Sequence, residues 1–475
     1  MFGYNIYYWL RSEEMSLAGA FIVPHPPLII PGVGMGQEMK IKKTMDSYLA
    51  VAKKIAEIRP HTIIVTTPHS CMYSDYIHIS PGRGAYGSFG EFGRNDISMD
   101  VEYDEDFVTR LSSLAEEMNI PAGTSGEKNK RLDHGVMVPL YYVNNYYSEY
   151  NVVRISISGL PFTEHYRLGK CIQKIAEESD KKFVFIASGD LSHMLKDEGP
   201  YGYREEGAVF DRELTAAISK GNFLKLLNFD EEFCEEAGEC GIRSFIIMAG
   251  ALNRMDLDSR LLSYEGTFGV GYAVAEFTIK GYTEERNFDE IYLRDEEERL
   301  RKLKKEEDSY VRLARRALES YVIGHKKIKK SDDLDNDLLD NRAGVFVSLK
   351  LDGRLRGCIG TIDPTMSCIA DEIIQNAISA GMEDPRFYPV GEEELPRLIY
   401  SVDVLGASEP VESIDELNPL RYGVIVVKGS KRGLLLPDLE GVNTPEEQVS
   451  IALKKAGIPP SDDYSVERFE VIRHK

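Results

Sequence analysis

Between Glu284 and Asp308 the chain runs for 25 residues of which 18 are charged, with neither proline nor glycine. Such a stretch has nothing to bury, so it cuts the 475-residue chain into two bodies, each needing its own core. Glu297 with Arg301, and Glu298 with Lys302, stand at i, i+4 spacing, which predicts a solvated connecting helix. The reading is therefore an extension over 1–14, a first domain over 15–283, a helical linker over 284–308 and a second domain over 309–475. The extension MFGYNIYYWLRSEE has no basic start and breaks at Arg11, Glu13 and Glu14, unlike a signal peptide. Met15 opens MSLAGAFIVPHPPL, which reads as a natural start.

In the first body short β-rich runs alternate with helical patterns: AFIV at 20–23, TIIVTT at 62–67, VVRISIS at 152–158 and FVFIAS at 183–188. Ile41, Met45, Leu49 and Ala52 keep to one helical face until Arg59-Pro60 ends it. This alternation predicts an α/β domain around a largely parallel sheet, whose ligands gather beyond the carboxyl ends of the strands. The second body reads as α+β. A helix near 310–324 precedes a hairpin in which GVFVSLKL and RLRGCIGTI flank Asp352-Gly353. A broad-faced helix over 366–380 follows, then strands at 399–405, 423–428 and 432–436.

Charge and cysteine usage narrow the function. A net charge of -21 disfavours non-specific binding to nucleic acid or an anionic membrane. No apolar run is long enough to span a bilayer. The six cysteines, at 71, 171, 234, 240, 358 and 368, form no CxxC pair, so neither a disulfide framework nor a zinc cluster is expected, and the cytoplasm is the default compartment.

Three of the nine histidines follow a strand directly: His25 after AFIVP, His69 after TIIVTTP and His193 after FVFIASGDLS. Parallel strands would bring all three to one sheet edge. His134 sits in RLDHGVMVPL, where Asp133 and Gly135 mark a turn into an apolar helix. Any one of these would ordinarily be a hydrogen-bonded surface or core residue; the set points to a site. Imidazoles serve both as metal ligands and as acid/base groups. A third ligand is offered by FCEEAGECGIRS, with Glu235, Glu236, Glu239 and Cys240. Two His and a carboxylate would suit Fe(II), whereas a thiolate would favour copper or zinc.

The ordered set VPHPPL (23–28), TTPHS (66–70), DHGVMVPL (133–140) and SGDLSH (188–193) resembles the class III extradiol ring-cleavage dioxygenases of the protocatechuate 4,5-dioxygenase type, and their Memo-like relatives. The likeness covers about Leu17 to Ile279. It implies His25 and His69 as iron ligands, with His134 and His193 as an acid/base pair around a catechol-like aromatic substrate and O2. Dioxygenases of this type use a late Glu as third ligand, and Memo-like proteins a Cys followed by Gly. This chain reads Glu239-Cys240-Gly241, which leaves both open.

In the second body LRGCIGTIDP (355–364), EDPRFYPV (383–390), ELPRLIYSVDVL and RGLLLPDLEG resemble the AMMECR domain over roughly Tyr310 to Val471. The Trp usual after LLLP in that family is replaced by VNTPEEQ, and the chain's one Trp is Trp9. Arg356 and Cys358 should share a strand face near Asp384-Pro385-Arg386. The plainer account is a structural strand with a buried Cys; the functional one is a cleft of Arg356, Cys358 and Arg386. Joined to a Memo-like domain, an AMMECR domain resembles a component of the AmmeMemoRadiSam system, which implies a radical SAM protein as partner. Two readings result: an Fe(II) extradiol-type oxidoreductase, or a non-catalytic metal-binding or interaction module of a modification system.

Overall fold

The computed structural model describes residues 15–475, except 127, 129, 130, 332 and 440. The extension and Trp9 lie outside the described residues. The chain divides into two compact units between Asp295 and Glu296.

The first unit is built on a six-stranded sheet: β1 (Leu17–Val23), β2 (Thr62–Thr67), β3 (Asn151–Ser156), β4 (Phe183–Ser188), β5 (Met255–Glu265) and β6 (Tyr272–Tyr282), in the order β3-β2-β4-β1-β6-β5. The four strands β3, β2, β4 and β1 run parallel, while β6 is antiparallel to β1 and β5 to β6. The parallel strands are buried on both faces, which is why they read as continuous apolar runs. Ala20, Ile22, Ile64, Val153, Phe183 and Phe185 point into one core, and Phe21, Val23, Ile63, Val65, Val184 and Ile186 into the other.

Helices α1 (Lys42–Ile58) and α2 (His134–Asn144) cover the second face, and α3 (Phe162–Glu177) and α4 (Ile242–Ala251) the first. Helix α1 buries Tyr48, Val51, Ala52 and Ile55 and stops where Arg59 turns left-handed before Pro60. Helices α3 and α4 meet backbone to backbone, since a Cβ on Gly169 would lie 2.1 Å from the Ile247 carbonyl oxygen, and one on Gly250 2.1 Å from that of Tyr166.

The register aligns the carboxyl ends of the parallel strands. Val23 pairs with Ser188, Thr66 with Ala187, and Thr67 with Ser156. The segments leaving β1, β2 and β4 therefore emerge side by side at one edge, where α2 also begins.

The charged stretch forms helix α5 (Phe288–Glu306), with Arg299 paired to Glu296 and Lys302 to Glu306. It is not solvated throughout. Phe288, Ile291 and Tyr292, at i, i+3 and i+4, seat its first turn on the first unit's core.

Among its described residues the second unit has seven strands: β7 (Val345–Leu351), β8 (Arg354–Gly360), β9 (Ile399–Leu405), β10 (Glu409–Val411), β11 (Tyr422–Lys428), β12 (Lys431–Leu435) and β13 (Ser465–His474). All pairs are antiparallel, in the order β8-β7-β9-β13-β11-β12 with β10 on β13. Asp352 and Gly353 close the β7–β8 hairpin, both at positive φ (51° and 82°), as a two-residue turn demands. Helices α6 (Ser309–Gly324) and α7 (Ile369–Met382) share the core of β7 and β9. Helix α7 starts three residues later than the sequence pattern suggests. The Glu372 carboxylate takes the N–H groups of Thr365 and Met366, holding that segment as a loop and leaving Cys368 as N-cap.

Candidate metal centre

His25 follows β1 by two residues and is 1% exposed. Its backbone N–H donates to Asp190 Oδ1 at 2.8 Å, tying the loop after β1 to the loop after β4. Its ring is fixed by a relay that begins in α2. Pro139 lies inside that helix and has no N–H to give the Gly135 carbonyl four residues back. Ser188, the last residue of β4, donates its hydroxyl to that carbonyl instead, at 2.6 Å. A serine hydroxyl has one proton, so Ser188 Oγ must accept from His25 Nδ1, 3.0 Å away. The Nε2 of His25 is thereby left as the acceptor nitrogen, facing His69 and Cys240.

His69 follows β2 by two residues, with its backbone N–H on Thr67 Oγ1. Thr67 Oγ1 in turn donates to Asp133 Oδ1, which also caps α2 through the Val136 N–H. That cap sets His134 as the first helical residue. Close approach of helix and strand needs Gly135, where a Cβ would fall 2.3 Å from Thr67 Oγ1. The Nε2 atoms of His25 and His69 lie 2.9 Å apart.

The third donor is Cys240. Its Sγ accepts from the Asp190 N–H at 3.3 Å and lies 3.7 Å from His25 Nε2. Ligand atoms of His25, His69 and Cys240 all fall within 4.8 Å of one another. Two glycines permit this: a Cβ on Gly189 would lie 2.2 Å from Gly241 Cα, and one on Gly241 2.8 Å from the Asp190 carbonyl oxygen.

Glu239 turns the other way and is not in that group. Its Oε2 accepts the Ile242 N–H at 2.7 Å, satisfying the first turn of α4. Glu235 and Glu236 lie on the preceding helix, Glu231–Ala237.

His134 packs against two of the three donors, and His193 is near enough to interact electrostatically with His25 and His69. The His134 ring is 4.0 Å from that of His69 and 5.4 Å from that of His25, centroid to centroid, with Phe92 at 5.6 Å on its other side. His193 stacks on Tyr201 at 5.1 Å, and its Nε2 is buried without a hydrogen-bond partner.

The electrostatics favour neutral imidazoles. Burial, then His69, His134 and His193, hold His25 well below its ordinary value. Burial and then His69 bring both His134 and His193 down to about 4. His69, although exposed at the surface, is lowered by desolvation of its ring, against the pull of Asp133. Burial pushes the Asp190 and Glu239 carboxyls up to about 7 and, with those two carboxylates, the Cys240 thiol well above its usual range. Four unprotonated rings beside a thiol that only a cation would deprotonate match the donor chemistry of a metal site. Two imidazoles and a thiolate suit a borderline or soft ion, which zinc and copper are, better than a hard one.

Sequence reasoning passed over Ser188 and Asp190, although both stand inside SGDLSH. Their signal was only proximity to His193; their partners come from other strands.

The candidate cleft of the second unit is made of structural pairs. Arg356 grips Glu394 with two bonds, of 2.6 and 2.9 Å. Cys358 Sγ receives the Ser348 hydroxyl at 3.2 Å, and its N–H donates to Asp384 Oδ2. Arg386 forks onto Asp384 and reaches the Cys358 carbonyl, holding the Asp384 carboxyl well below the usual range. Among the described residues no helix is long and apolar enough to cross a membrane.

Comparison with known proteins gives two family matches: the catalytic LigB subunit of aromatic ring-opening dioxygenase over residues 19–275, and AMMECR1 over residues 311–474. A protein of Clostridium acetobutylicum is 44% identical over 469 residues, spanning 97% of this chain and 100% of its own. A Thermotoga maritima protein is 53% identical over 171 residues, 36% of this chain and 98% of its own. Among solved structures, an uncharacterized Pyrococcus horikoshii protein aligns at 36% identity and TM-score 0.33, over 34% of this chain and 88% of that one. An uncharacterized Escherichia coli protein aligns at 14% identity and TM-score 0.35, over 55% and 99%.

Proposed function

The chain belongs to the family of the catalytic LigB subunit of aromatic ring-opening dioxygenases, here joined to an AMMECR1 domain, and on that premise we propose that its first unit is a metal-dependent redox module. His25, His69 and Cys240 hold the ion, and His134 and His193 handle protons beside it. The observation that carries this reading is the convergence of two imidazole nitrogens and one sulfur, with Glu239 engaged elsewhere. The thiolate favours copper or zinc over Fe(II). When bound, the ion supplies Lewis acidity and, if copper or iron, one-electron exchange.

The chain's own residues supply the rest. Ser188 holds His25 in the tautomer that presents Nε2. Asp190 ties His25 to Cys240 through its carboxylate and its N–H. His134 and His193, neutral at pH 7, accept protons from a ligand entering between them. We further propose that the module acts within a modification system, with a radical SAM protein as partner.

A second reading, Fe(II)-dependent oxidation of a catechol-like ring by O2, is favoured by one feature. The unpartnered Nε2 of His193, whose ring stacks on Tyr201, offers a hydrogen-bonding atom to a diol. An oxygen electrode separates the two. Protein reconstituted anaerobically with Fe(II), copper or zinc is given a panel of catechols. The first reading expects tight binding of copper or zinc and no catechol-dependent oxygen uptake. Uptake with Fe(II) that is lost in His193→Ala would replace it with the second.

A further inference from the structure

The second unit carries a cysteine whose surroundings differ from those of a core thiol. Cys368 is the N-cap of α7 but caps nothing with its side chain. It is 2% exposed and belongs to the second unit's core, yet its sulfur also meets charged and polar side chains. Lys330 Nζ points at Cys368 Sγ from 3.1 Å, while also donating to Asp371 Oδ2 at 3.0 Å and Ser367 Oγ at 3.3 Å. Asp371 Oδ2 is 3.5 Å from the same sulfur and accepts from Ser367 as well. An amine, a thiol and a carboxylate are thus in mutual contact. Lys330 and Cys368 stand 38 positions apart in the chain.

We propose that Lys330 and Cys368 form a redox-modification site in which an oxygen atom bridges Nζ and Sγ. The reaction joins the lysine amine, the cysteine thiol and dioxygen to give the N–O–S linkage and one water. The N–O and O–S bonds form, and one N–H, the S–H and the O–O bond break. Dioxygen is the four-electron oxidant, reduced to one bridging oxygen and one water. Asp371 accepts hydrogen bonds from both reacting groups and is placed to take the proton from each. Inserting one oxygen across the observed gap needs little movement of either side chain, whereas a direct N–S bond would require the two to close much further. Burial favours a local product: Cys368 is 2% exposed, so an oxygen held at its sulfur has Lys330 Nζ as its neighbour and bulk water is kept away. The bridge would staple the 325–331 segment to the start of α7. A dithiol reductant would release it, because the S–O bond is reducible.

The test uses the full-length protein, aerated or kept under argon with reductant, then alkylated, digested and read by mass spectrometry. The expected result is a cross-linked peptide pair joining Lys330 to Cys368, with one oxygen gained and two hydrogens lost. It should appear only after aeration, vanish with dithiothreitol, be absent from Lys330→Arg and Cys368→Ser, and persist in Cys358→Ser. Lys330→Arg retains the ion pair with Asp371 and so keeps the fold as a control. If aerated protein gave Cys368 only as the alkylated thiol, or only as sulfinic or sulfonic acid with Lys330 free, the proposal would be overturned. A cross-link of N–S mass would overturn the bridging oxygen.

Discussion

Ser188→Ala tests the relay that orients His25, and its effects on stability and on metal affinity should come apart. The substitution removes the donor to the Gly135 carbonyl and the acceptor for His25 Nδ1, both fully buried. At roughly 1–3 kcal/mol for each buried group left without a partner, the expected loss is about 2–6 kcal/mol. The ring of His25 would also lose the bond that selects its tautomer, and outer partners of ligating histidines typically change affinity by about 10–100-fold. Pro139→Ala supplies the control, because an alanine at 139 restores the N–H that the Gly135 carbonyl lacks. In that background Ser188→Ala should cost about 1–3 kcal/mol less, because the carbonyl is no longer left unpaired, while the fall in affinity stays the same. Urea unfolding at constant m-value measures the first quantity and metal titration the second. Equal stability losses in both backgrounds, or unchanged affinity in Ser188→Ala, would refute the relay.

Two further outcomes are expected. His165 accepts the Ser158 N–H and is held at about 3 by burial, so below pH 6.5 the unfolded chain takes up a proton that the folded one refuses. The parent's stability relative to His165→Gln should therefore shrink as the pH falls from about 6.5 to 4, by up to about 1.4 kcal/mol per unit, measured by urea midpoints; a constant difference would contradict it. Gly169→Ala, normally a gain of up to about 1 kcal/mol in a helix, should instead destabilise by about 1–3 kcal/mol, because its Cβ meets the Ile247 carbonyl oxygen at 2.1 Å. A raised thermal midpoint would show that α3 and α4 can separate freely.

What could be read from the sequence follows from burial. The parallel strands are covered on both faces, so they stand out as apolar runs, and their shared direction carries His25, His69 and His193 to one edge. The β5–β6 hairpin gave no such signal: half of it is solvated, as the mixed burial of Met255–Glu265 shows. Phe288, Ile291 and Tyr292 were hidden in a charged stretch because three apolar residues at helical spacing are enough to dock one turn. The choice between Glu239 and Cys240 turns on the direction of two adjacent side chains, set by Gly189 and Gly241 and by the capping need of α4. Ser188 and Asp190 were illegible for a related reason. Their partners, Gly135, His25 and Cys240, are 50 or more residues away and meet them only through the strand register.

The central claim is that the ion sits on His25, His69 and Cys240 and not on Glu239. Titration with Co(II), followed by the near-ultraviolet thiolate-to-metal charge-transfer band, addresses it directly in the parent, Cys240→Ala, Glu239→Gln and His25→Ala. Gln at 239 can still accept the Ile242 N–H, so that variant keeps the start of α4 intact. The account predicts a band of one equivalent in the parent and in Glu239→Gln, and none in Cys240→Ala or His25→Ala. Stoichiometric cobalt without a thiolate band in the parent, together with loss of binding in Glu239→Gln, would contradict it and return the site to a carboxylate-ligated ion.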